Sequence, residues 1–187
     1  MRLGKWIIDF RLSFKVKKTE QTKGISSVTD DFSHILMADF DYISKNYLIG
    51  WLKYIQKKEK LTPFYLFTTK EEMQNGECVG NYHAQCLTKR PKSEVSSILK
   101  DSPCDKAYAS MWKRNKRRVW VLRVIGKGDR DAPKYLGIIG EHINLNNPVS
   151  EAHLKFLELA YGVDFIDYTN LDGLKTIEGH SYETYNI

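Results

Sequence analysis

Cysteine is scarce in this chain, with three residues among 187. An odd and small number excludes a complete disulfide framework and points to a reducing compartment. No apolar run approaches the roughly 20 residues that a membrane-crossing helix needs. Charges interrupt the apolar residues over positions 1–9, which is not the pattern of a signal peptide. The expectation is a soluble protein, cytoplasmic or nucleoid-associated, with no membrane partner. Internal repeats, low-complexity tracts and Pro/Gly/Ser-rich linkers are also missing, and no heptad pattern is sustained, which excludes a coiled-coil scaffold. Residues 1–187 therefore read as one compact domain, with a motif region over 35–127 and a C-terminal helix and tail over 148–187.

What the chain has in excess is positive charge. Lysine and arginine number 29 against 23 acids, a formal charge of +6. The excess gathers at Lys15, Lys17 and Lys18, at Lys57 and Lys58, and above all at Lys113, Arg114, Lys116, Arg117 and Arg118. Such a run is either a solvated surface or a phosphate-binding face. Hydrophobic residues at 42% are enough for an ordinary globular core.

Periodicity and capping residues divide the chain into elements. Alternation over 6–17 predicts a strand, and the polar stretch 19–31 predicts a loop. An apolar strand over 35–42 follows. Ser44 can cap a helix running to about Glu59, with Leu48, Trp51, Leu52 and Ile55 on one face. Pro63 opens a strand over 64–68, which completes a strand–helix–strand unit of crossover length. Gly76 and Gly80 mark a turn before a strand over 82–87, and Ser93 can cap a helix over 94–100. Residues 105–112 read as helical or irregular. The clearest β pattern is 119–125, with 135–139 as its expected hairpin partner. A last amphipathic helix spans 150–161 and stops at Gly162, and a short strand is expected over 164–168. The fold class expected from this order is α+β, a mixed sheet with helices packed on it.

Three places could carry chemistry. Asp39 and Asp41 end an apolar strand, and strand alternation puts both on one face with Phe40 on the other. Paired carboxylates there form a claw for Mg²⁺ or Mn²⁺, which take hard oxygen ligands; the plain alternative is solvated acids at a strand end. Gly80-Asn81-Tyr82-His83 leads into an apolar strand, with a glycine that would let a phosphate approach and an imidazole that could donate to it. A histidine in a strand is otherwise a packed, hydrogen-bonded residue. Finally, Asp105 is a further acid, Arg123 interrupts an apolar strand, and Lys127 stands in a glycine-rich stretch as a free point charge.

In this order the motifs resemble the archaeo-eukaryotic primase superfamily, the catalytic domains of DNA primases and primase-polymerases. Its first motif, an apolar strand ending in acid-x-acid, is matched by Leu36-Met37-Ala38-Asp39-Phe40-Asp41. Its second, a small residue, any residue and histidine, is similar to Gly80-Asn81-Tyr82-His83, with Asn81 replacing the commoner serine. Its third, an acid near basic strand residues, is matched loosely by Asp105 with Arg123 and Lys127. The resemblance implies an RRM-like primase-polymerase-type catalytic domain and metal-dependent nucleotidyl transfer in the replication of a chromosome, virus or plasmid. Asp39, Asp41 and Asp105 would hold Mg²⁺ or Mn²⁺, and Asn81, His83, Arg123 and Lys127 would grip a nucleoside triphosphate. Lys113, Arg114, Lys116, Arg117 and Arg118 would track a single-stranded DNA template, with a helicase or second replication subunit as a further partner.

Three other readings use the same residues. Cys78, His83, Cys86 and Cys104 could form a Cys₃His zinc set, although the spacing fits no compact knuckle. A non-catalytic single-stranded nucleic-acid-binding domain would present Trp6, Tyr65, Trp120 or Tyr135 for base stacking. An initiator that nicks DNA with a tyrosine would want two neighbouring histidines, and His83 stands alone.

Overall fold

The computed structural model describes residues 24–114, 118–127, 130–141 and 148–162. The strands expected over 6–17 and 164–168, and Lys116 and Arg117 of the basic run, lie outside the described residues. In chain order the elements are β1 (Gly24–Ser26), β2 (His34–Ser44), α1 (Lys45–Glu59), β3 (Phe64–Gln74), β4 (Glu77–Arg90), α2 (Lys92–Lys100), α3 (Lys106–Ala109), α4 (Met111–Arg114), β5 (Val121–Arg123), β6 (Lys134–Ile139) and α5 (Glu151–Tyr161). The described residues thus form an α+β fold with five helices and two antiparallel sheets, one of four strands in the order β2-β4-β3-β6 and one pairing β1 with β5.

The expected crossover is present in split form. Ser44 caps α1 by accepting a hydrogen bond from the Tyr47 amide at 3.3 Å. The helix ends at Lys60 in the left-handed region, and Pro63 precedes β3. β2 and β3 therefore run parallel to each other, with β4 inserted antiparallel between them. The β3–β4 connection is the two-residue turn Asn75-Gly76, both at positive φ, a geometry that matches strand twist and favours an Asn-Gly pair.

Strand alternation sorts the sheet into two faces. On one face Ala38, Phe40, Leu66, Tyr82 and Ala84 are buried with Leu48, Leu52 and Ile55 of α1 and Val95 and Leu99 of α2. On the other, Tyr65, Phe67 and Leu87 meet Leu154 and Leu157 of α5. Each fully buried Leu, Val or Phe side chain among them contributes roughly 1.5–3 kcal/mol. Registry across the second face aligns Asp39, His83, Phe67 and Tyr135 in one row across all four strands.

Two pairings differ from the sequence reading. β6 pairs with β3, not with the strand at 119–125. That strand is only three residues long and pairs with β1, inside a segment expected to be loop. Local β pattern identifies extended chain but carries no information about its partner, which long-range packing decides. Gly24 permits the second pairing, since a Cβ there would lie 2.6 Å from the Leu122 carbonyl. Helix α2 starts at Lys92, with Pro91 at its N-cap position and no side-chain cap, rather than after Ser93.

Candidate carboxylate–histidine site

Asp39 sits where β2 leaves the core, and its place is determined from three sides. Its registry partner on β4 is His83, whose Nε2 lies 3.4 Å from Oδ1 of Asp39. On the outer edge of β2, the backbone N–H of Asp105 donates to the Asp39 carbonyl at 2.8 Å. That bond brings a second acid alongside, while the Asp105 carboxylate caps α3 by accepting from the Tyr108 amide at 2.6 Å. Asp41 follows on the exposed part of the strand, close enough for its charge to act on Asp39.

The strand is irregular just there. Register shifts between Phe40 and Ile43, and Tyr42 takes φ 52. Its amide donates to Oδ1 of Asn81 at 2.7 Å. Asn81, expected at a nucleotide, is thus engaged in closing this bulge, which re-aims the end of β2. Gly80 also has a structural cause. A Cβ on it would stand 2.4 Å from the Lys70 carbonyl, so β3 occupies the space that was expected to admit a phosphate.

Charge around Asp39 is unbalanced. Burial first, then the charges of Asp41 and Asp105, push its pKa from 3.8 up to about 7, against the opposing pull of Arg123 and Arg130. Burial, with the Arg123 charge, pulls His83 down to about 4. The imidazole is therefore neutral at pH 7, and its 3.4 Å approach to Asp39 is not an ion pair.

Arg123 reaches this neighbourhood from β5, with Nη1 donating to the Asp131 carbonyl at 2.7 Å. Arg130 is a residue the sequence reading missed. Lys127 and Arg130 bond each other through their backbones at 2.9 and 3.0 Å; both side chains are exposed, and the Arg130 charge acts on Asp39. Gly126 accommodates that closure, since a Cβ there would lie 2.9 Å from the Arg130 carbonyl. Tyr108 was missed as well. It is 3% exposed, the Asp39 charge helps hold its pKa high, and its hydroxyl has no partner among the described residues.

The zinc set is not assembled. Cys78 and Cys86 lie eight residues apart on the single strand β4, roughly 26 Å in extended chain. Cys86 faces the helix-side core with Tyr82 and Ala84, opposite His83, and Cys104 is buried in that core too. Of the basic run, Arg114 donates to the Ala107 carbonyl, two residues from Asp105, whereas Arg118 lies elsewhere. The Lys92 charge acts on His34, and that of Arg118 on Lys92, at the start of β2. Five residues of strand, roughly 17 Å, separate His34 from Asp39.

Comparison with protein-family models, with curated proteins and with solved structures finds no match for this chain.

Proposed function

We propose that the chain is a metal-dependent nucleotidyltransferase of the primase and primase-polymerase type, with an RRM-like sheet, acting on a single-stranded DNA template. The observation that carries the reading is the convergence on Asp39. The middle of β2 gathers Asp41, Asp105, His83, Arg123 and Arg130 around a carboxyl whose pKa is pushed to about 7. Strong perturbation of a half-buried acid by identifiable neighbours is typical of functional sites.

The donor set fits a divalent cation in charge and in kind, with hard oxygens from Asp39, Asp41 and Asp105. Among the described residues no group of three or more ligating side chains is already gathered. Mg²⁺ ordinarily takes only one or two carboxylates and completes its shell with water and substrate phosphate, so the arrangement suits a cation bound together with a nucleotide. When bound, the ion supplies positive charge at the attacking and departing oxygens. The chain's own part is positioning. His83 offers a neutral N–H to a phosphate oxygen, and Arg123 and Arg130 add fixed positive charge at the triphosphate. Lys127 is free to follow from its exposed hairpin.

A non-catalytic single-stranded nucleic-acid-binding domain is the second reading. It is favoured by the ungathered ligands and by the use of the Asp105 carboxylate as a helix cap. Nucleotide incorporation on a single-stranded template separates the two, run with Mn²⁺ or Mg²⁺, with and without primer, beside an Asp39→Ala/Asp41→Ala variant. Product that requires metal and disappears in the variant is the expected result. No product from the wild type, with salt-sensitive binding equal in both proteins, would establish the binding domain instead.

A further inference from the structure

The cations of the described surface are unequally partnered. Lys57, Lys70, Lys89 and Arg90 each meet a carboxylate within 4 Å. At the start of β2 a different group collects. The Lys92 ammonium lies over the Trp112 ring, 4.6 Å from its centroid, and the Lys113 ammonium lies 5.7 Å from the same centroid. Arg118 is near enough for its charge to act on Lys92. Among the described residues none of these three cations has an ion pair with an acid.

The indole itself is held in place. Trp112 is partly buried, packed on the core, and its ring stands 6.1 Å from that of the fully buried Trp120. A ring held by packing and bordered by ammonium groups is a preorganised aromatic surface. Holding like charges together has a cost, visible in the lowered pKa of Lys92, which burial and then Arg118 produce. An anion with a flat face offsets that cost, and a nucleotide is such an anion.

We propose that Trp112, with Lys92, Lys113 and Arg118 around it, is a single-stranded nucleic-acid site in which a base stacks on the indole and the cations take the flanking phosphates. In the free chain the ammonium groups rest on the ring; on binding they move outward to phosphate. Duplex is disfavoured because its base faces are already stacked, and an acidic peptide would have no use for the indole. The inference rests on the nucleic-acid partner of the reading above but on none of its metal chemistry, since the cluster lies at the His34 end of β2, five residues of strand before Asp39.

The test is fluorescence polarisation of a labelled oligothymidylate with the full chain, without divalent metal or nucleotide, across a salt series. Trp112→Leu retains apolar packing against Trp120 and is expected to weaken binding about tenfold. Trp112→Phe, which keeps a ring, should stay within about threefold of wild type. Lys92→Gln touches no core and should reduce the slope of log K against log salt by about 0.7. Wild-type affinity in Trp112→Leu, or equal losses for oligothymidylate, duplex and polyglutamate, would overturn the site. Incorporation measured on the same preparations keeps the two ideas apart. Trp112-dependent binding without incorporation overturns nucleotidyl transfer and leaves this site standing. Incorporation with Trp112-independent binding overturns this site alone.

Discussion

Replacing Asp39 by asparagine should make the protein more stable at pH 8, although it removes the residue on which the site converges. In the unfolded chain this carboxyl titrates near 3.8, and in the folded protein near 7. Between those values the folded state keeps a proton that the unfolded state has lost. Stability is therefore drained as pH rises from about 4 to 7 and stays reduced above 7. A difference of about 3 pH units at about 1.36 kcal/mol each sets a ceiling of about 4 kcal/mol. Solvent screening at a side chain 30% exposed, and weakening of the His83 contact, bring the expected gain to about 1–3 kcal/mol. For a chain of this size that is a rise in Tm of about 3–8 °C. The assay is thermal unfolding of wild type and Asp39→Asn from pH 4 to 8.5. The gain should be near zero at pH 4, grow to pH 7 and level off. A gain independent of pH, or a loss of stability at pH 8, would refute the reasoning.

Burial also lowers the pKa values of His34 and His153, which bond Ser27 and Ser150 respectively. Both take up a proton less readily folded than unfolded, so stability falls as pH drops below about 6.5. In the Asp39→Asn background this acid loss, to which the lowered His83 adds its own share, should dominate the Tm profile below pH 6.5, and His153→Asn should shallow it. Gly80→Ala should cost about 1–3 kcal/mol in urea unfolding, because its methyl group meets the Lys70 carbonyl at 2.4 Å. Asp105→Asn keeps a competent helix cap and should leave Tm within about 2 °C. It should nevertheless lower metal-dependent incorporation at least tenfold if that carboxylate holds the ion.

The parts of the fold that were legible in the sequence are those set by local physics. Ser44 and Gly162 bound α1 and α5 as expected because capping is decided within one helical turn. The apolar run ending at Asp39 gave β2, and alternation put Asp39 and Phe40 on opposite faces, with Phe40 buried and Asp39 half-exposed. Pairing was not legible. The residues at 121–123 and 134–139 have strong β character, yet one joins β1 and the other β3, because partner choice depends on contacts distant in sequence. The site was readable in the same measure. Asp39 and His83 meet through strand registry, whereas Arg130 arrives only through a hairpin closure that no spacing rule describes. Cys78 and Cys86 show the converse error, where closeness in sequence suggested a shared site and an extended strand holds them apart.

The most direct test of the central claim, that the neighbourhood of Asp39 is a cation site completed by a triphosphate, is a Mn²⁺ titration followed by electron paramagnetic resonance. The free-ion signal would be recorded with the wild type and with Asp39→Asn/Asp41→Asn, each without nucleotide and with saturating deoxynucleoside triphosphate, against a nucleotide-only control. The expected result is weak uptake by the wild type alone, uptake beyond the control when nucleotide is added, and loss of both in the variant. Equal signals from the two proteins under both conditions would contradict the claim.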